Sequence, residues 1–129
     1  MNLLGTIHYS ALFAAAYLVF LVLLAANVSR LRIQHKVSLG EGGNRDLRHA
    51  IRAHANSVEH GAPFMVALLA ADFVKVSDPW ILWLAVAFGA ARVLHAAGMF
   101  DVGFNFRRVG AGLTLVVELA LAGVIVGGV

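Results

Sequence analysis

Four long apolar stretches, parted by three shorter polar ones, set the pattern of the chain. They predict helices over 3–28, 46–74, 80–98 and 107–129. About 20 apolar residues suffice to cross ~30 Å of hydrocarbon, so each stretch is read as a membrane span. No Lys or Arg precedes the first stretch, which therefore lacks the basic n-region of a signal peptide and is expected to be retained. Between the first two spans, Gly40-Glu41-Gly42-Gly43-Asn44 is a turn signal, with Asn44 as a predicted N-cap and Asp46 in the first turn of the next helix. That second helix is polar in its first turns and apolar in its last. Pro63 lies inside it, where proline removes a backbone hydrogen bond and clashes with the carbonyl of Glu59, so a kink is expected there. Lys75–Pro79 is a tight connection, Trp80 and Trp83 form an aromatic belt at the start of the third span, and Met99–Phe106 is a loop. Gly123 and Gly127 make a small-xxx-small pair suited to close helix contact.

Composition agrees with this pattern. Hydrophobic residues make up 60%, charged residues 13%, and the mean hydropathy is +0.83. These values belong to a polytopic membrane protein and exclude an ordinary soluble core. The length of 129 residues allows one domain, read as a single four-span unit over 1–129. Short antiparallel connections make it an all-α, integral membrane four-helix bundle.

The net charge of +3 matters less than its placement. Arg30, Arg32, Lys36, Arg45, Arg48 and Arg52 fall between the first and second spans, and Arg107 and Arg108 between the third and fourth, whereas the second connection has only Lys75. The positive-inside rule puts the first and third connections in the cytoplasm and both termini outside it. No nucleic-acid partner is expected. There is no cysteine, which removes disulfides, thiolate ligands and a cysteine nucleophile. Any thiol chemistry must take its sulfur from a substrate.

Within this apolar background, Arg52, Asn56 and Glu59 stand at i, i+4 and i+7, on one helical face. Ionisable groups are costly in lipid, so this face is expected to turn into the bundle or a wet cavity. Taken alone, the three could be a structural ion pair. Arg92 and His95, at i and i+3 near the end of the third span, and Arg108, at the start of the fourth, reach the same level. A surplus of cations around one carboxylate suits an anionic ligand. Of the six histidines, only His60 and His95 are placed to meet inside a bundle, and no HxxxH or HExxH pair occurs, so no metal site is expected. Arg30 and Arg32 have a second reading as topology signals that touch anionic lipid. Glu118, near mid-span, is expected to face a cation on a neighbouring helix or to stay protonated.

The motif Arg52-x-His54-x-Asn56-x-x-Glu59-x-x-Pro63 resembles the signature of the MAPEG family, the membrane-associated proteins in eicosanoid and glutathione metabolism. Its surroundings do too: Arg30 after the first span, Gly40 and Leu47 before the motif, Arg92-x-x-His95 in the third helix, and Arg108 opening the fourth. The likeness covers essentially the whole chain. It implies a homotrimer of four-helix subunits, with glutathione as co-substrate between neighbouring subunits near the cytoplasmic face. Arg30, Arg52, Asn56, Glu59, Arg92 and His95 would line that site, and Arg108 would be catalytic by stabilising the glutathione thiolate, as a nearby cation lowers a thiol pKa. Ala55, Met99 and Val109 replace an arginine, a tyrosine and a serine that eukaryotic glutathione users often carry, a pattern closer to the short bacterial branch and to an inner-membrane location. Two functions follow as expectations. One is a glutathione-dependent transferase or peroxidase acting on lipophilic small molecules. The other is a non-catalytic membrane scaffold that binds a lipid-like or anionic ligand.

Overall fold

The computed structural model describes residues 8–103 and 105–128, and over these the chain is four helices with no strand. They are α1 (Tyr9–His35), α2 (Arg45–Phe73), α3 (Asp78–Met99) and α4 (Phe106–Gly128). The expected first turn of α1, from Leu3, and the expected end of α4 at Val129 lie outside the described residues. At its other end α1 runs through Ser29–His35, past the expected stop at Val28. Polarity ends an apolar run, but it does not end a helix. Nothing in Ser29-Arg30-Leu31-Arg32 breaks the ladder, Leu31 is buried, and Arg32 and His35 suit the negative end of the helix dipole.

Successive helices run antiparallel. Ser10, near the start of α1, hydrogen-bonds Asp72, at the end of α2. At the opposite end Leu31 packs with Leu47 and Ala50. The buried side of α1 is only Ser10, Tyr17, Leu24 and Leu31, one residue every two turns, so most of α1 faces outward. Helix α2 lies against all three others and buries a stripe of mostly small residues: Leu47, Ala50, Ala53, Ser57, Gly61, Phe64, Leu68 and Ala71. Asn44 caps it as expected, its Oδ1 accepting from Leu47 N at 2.9 Å. The helix continues without interruption through Pro63, which lies on its exposed side.

The core is built on an aromatic stack. The Phe64 and Phe88 rings are parallel, 3.7 Å between centroids, and Tyr17 and Phe13 pack around them. Leu68, Ile81, Leu84, Val117 and Leu121 extend it. Two glycines let α3 and α4 close up. A Cβ at Gly110 would sit 2.5 Å from His95 N, and one at Gly98 would collide with the Arg107 backbone. At Gly123 and Gly127, by contrast, a Cβ would meet nothing within 4 Å, so the pair expected to mediate helix contact faces out of the chain.

Helices α1, α3 and α4 are long and apolar enough to cross a membrane. Helix α2 is long enough, at 29 residues, but its first half is too polar to count by composition. The expectation of four apolar spans thus holds for three helices, and the polar one, like α3, packs against all the others.

Candidate functional site

The polar residues of α2 divide according to the rotation of the helix. Its buried stripe passes through Ala53, Ser57 and Gly61, and Tyr17 fills the space beside Gly61. The face carrying Arg52 and Glu59 is consequently exposed, and Asn56 is half-buried at its edge. The expected inward cluster does not form within one chain. Among the described residues Glu59 has no ion pair. The cause is steric: small side chains give the close approach on which helix packing depends, and they occupy the adjacent stripe.

Arg92 is the charged residue that does go inside, at 1% exposure. Its guanidinium meets neutral oxygens from two other helices. Nη2 donates to Asn56 Oδ1 at 2.8 Å and, more weakly, to Ser57 Oγ at 3.4 Å, while Nη1 donates to Thr114 Oγ1 at 3.3 Å. Thr114 passes its own proton to Gly110 O at 2.7 Å, leaving its oxygen as an acceptor. Tyr17 closes the layer from α1, donating to Ser57 O at 2.8 Å. Only Arg92 Nε is a buried polar side-chain atom without a partner among the described residues.

The guanidinium of Arg92 is buried within this chain and holds the Asn56 carboxamide through its oxygen, at the edge of the face that carries Arg52 and Glu59. His95, also buried, stands within 3.0 Å of Arg107 O through Nδ1 and pins the start of α4 to the end of α3. It serves the position of Arg107 and Arg108 from behind.

Arg108 is exposed and lines a polar cavity of about 520 Å³ with Arg45, His49, Asn105 and Arg107. Arg30, held along its own helix by Asn27 at 2.9 Å and Gln34 at 3.3 Å, lines a neighbouring cavity of about 560 Å³. His49, Met99 and Asp101 line both. Within one chain, then, the structure joins Asn56 to Arg92, backs Arg107 with His95, and leaves Arg30, Arg52, Glu59 and Arg108 facing outward.

Sequence reasoning missed three participants. Ser57 and Tyr17 complete the Arg92 layer, and Thr114 is its α4 member. Thr114 and Glu118 at i, i+4 were the available signal. Glu118 finds its neighbour in His60, whose Nδ1 lies 2.9 Å from Glu118 Oε1 between α2 and α4. No group of three or more His, Cys, Asp or Glu side chains among the described residues could hold a metal ion.

Glutathione offers two carboxylates and one amine. Of the outward residues, Arg30, Arg52 and Arg108 are the groups that would hold carboxylates, Glu59 the one that would hold an amine, and Asn56 the one that would meet a peptide group.

Comparison with known proteins finds relatives over most of the chain. Two relatives carry the name inner membrane protein YecN, one from Escherichia coli strain K12 and one from an O6:H1 strain of the same species. Each is 32% identical over 106 residues, covering 81% of this chain and 80% of the relative. No solved structure matches the chain. The MAPEG family model matches residues 10–127, nearly the full length, and the chain is an integral membrane member of the MAPEG family.

Proposed function

We propose that the protein is a membrane-embedded, glutathione-dependent transferase or peroxidase that acts on lipophilic electrophiles and works as a homotrimer. One observation carries this reading: α2 presents Arg52, Glu59 and a fixed Asn56 amide on the outside of a chain whose other helices are apolar. In lipid each charge would cost at least ~2.5 kcal/mol at mid-span. Cover by a neighbouring subunit removes that cost and encloses a polar site between copies.

Bound there, glutathione supplies the nucleophilic sulfur that this cysteine-free chain lacks. Arg52 and Arg30 hold carboxylates through charge-assisted hydrogen bonds, Glu59 takes the amine, and Asn56 donates to the peptide. Arg92 and His95 position Asn56 and the start of α4 without touching the ligand. Arg108 stabilises the thiolate. The thiolate attacks an electrophilic carbon, forming the S–C bond as the leaving group departs. The electrophile reaches the site from the bilayer. The basic connections lie in the cytoplasm and both termini outside it, in a bacterial inner membrane.

A second reading has its own support. Met99 is buried and Ala55 is half-buried where relatives using glutathione carry polar groups, so a scaffold that binds an anionic or lipid-like ligand without turnover accounts for the same cations. Conjugation of glutathione to a generic aromatic electrophile by the purified protein decides between them. Saturable turnover supports the enzyme. Binding without turnover supports the scaffold.

A further inference from the structure

We infer that the extension of α1 beyond its apolar run is a headgroup site for an anionic phospholipid. Residues Ser29, Arg32, Ile33, Lys36, Val37 and Ser38 line a groove of about 450 Å³ on this extension, with no carboxylate in its wall. The cations of the basic end are not equivalent. Arg45 is paired with Asp101 at 2.8 Å and Arg48 with Glu41 at 2.7 Å. Arg30, Arg32, Lys36, Arg52, Arg107 and Arg108 have no acidic partner among the described residues, and of these Arg32 and Lys36 are the two that line this groove. Arg32 instead reaches the carbonyl of Gly40 at 2.8 Å, which folds the turn over one side of the groove and keeps the guanidinium at its rim.

Lys36 ends α1 in the left-handed region, φ 55°, where glycine is the usual residue. A glycine would meet the backbone need at lower strain, so the charge of Lys36 can be removed without disturbing the turn. The two groove cations stand beside two of the most protruding apolar side chains among the described residues, Ile33 at 80% and Leu39 at 86% exposure. The groove lies one to two turns beyond the end of the apolar stretch, at the level of the lipid headgroups. Unpaired positive charge and outward apolar side chains at that depth complement an amphiphile with a negative headgroup. They do not suit a soluble anion, which has no use for Ile33 and Leu39.

The test uses the full chain in nanodiscs of mixed dioleoylphosphatidylglycerol and dioleoylphosphatidylcholine, with retained lipid read by native mass spectrometry. Wild type is expected to retain phosphatidylglycerol preferentially. Lys36→Gln should lower that preference about fivefold, the equivalent of ~1 kcal/mol per cation at an anionic surface. Lys36→Gly should do the same while relieving backbone strain, so loss of lipid cannot be put down to misfolding. Arg48→Gln removes the same charge from a paired site and should leave the preference intact. Three results would overturn the inference: no preference in wild type, an unchanged preference in both Lys36 variants, or an equal loss in Arg48→Gln, which would mean a diffuse field. A disulfide between copies of a Ser38→Cys variant, in the absence of retained phosphatidylglycerol, would put a second subunit in the groove and also overturn it.

Discussion

Arg92 shows how one buried charge can be held without an opposite one. Three neutral oxygens on α2 and α4 share its guanidinium, and none alone would offset desolvation. Thr114→Val keeps the shape of the side chain and removes an acceptor. It should lower the stability of the detergent-solubilised protein by roughly 0.6 to 1.7 kcal/mol, the range for hydrogen bonds between membrane helices. Loss of helicity on denaturant titration measures it, and an unchanged midpoint would mean the Thr114 contact adds nothing. Arg92→Met should act differently from Arg52→Gln on ligand affinity. The first frees the Asn56 amide to rotate and weakens binding at a distance, whereas the second removes a direct contact. In a double variant with Asn56→Ala, Arg92→Met should cost no further affinity, while Arg52→Gln should still cost its full amount. In the proposed reaction Arg108 would act on the sulfur. A cation near sulfur favours thiolate over thiol, so its removal raises the thiol pKa and depletes the reactive form at neutral pH. Arg108→Leu should therefore slow conjugation at neutral pH and recover in part as the pH rises.

At the scale of the helices, the number, order and polarity of the four elements were legible because long apolar runs separated by turn residues admit few other readings. The Asn44 cap was legible too, whereas the connection expected at Lys75–Pro79 is shorter and earlier, because Asp78 and Pro79 already form the first turn of α3, where proline is tolerated. Where α1 ends was not legible, since Arg30, Arg32 and His35 leave the membrane without leaving the helix. The rotation of α2 was not legible either. The cost of charge in lipid turns Arg52 and Glu59 away from lipid, but it does not say whether the cover is their own bundle or another subunit. The stripe Ala50, Ala53, Ser57, Gly61 held that information as a packing surface. Glycine spacing did not identify the close approach within the chain either, since Gly123 and Gly127 face out of it and Gly98 and Gly110 make the approach. Gly98→Ala and Gly110→Ala should each destabilise the subunit by roughly 1–3 kcal/mol through forced separation of α3 and α4. Gly123→Ala should be neutral within the subunit or stabilise it by up to ~1 kcal/mol through helix propensity. Thermal unfolding followed by helicity compares them, and equal effects at Gly98 and Gly123 would contradict the packing described.

For the whole molecule, the proposed trimer would tie assembly to function through the outward polar face of α2. A lone chain in lipid would expose Arg52 and Glu59 at high cost, and a trimer would bury them at the contacts that form the ligand site. Glu59→Ala should then loosen the assembly in native mass spectrometry, while Asp78→Ala, at the far end of the bundle, should leave it intact. The central claim is that these contacts bind glutathione and ionise its thiol. The most direct measurement is a pH titration of thiolate absorbance for glutathione bound to the purified protein, in wild type and Arg108→Leu. The expected result is saturable binding, a bound thiol that ionises at lower pH than free glutathione, and a midpoint moved upward in Arg108→Leu. A bound thiol that titrates with the same midpoint in both proteins would remove Arg108 from the mechanism, and no glutathione binding by wild type would contradict the account as a whole.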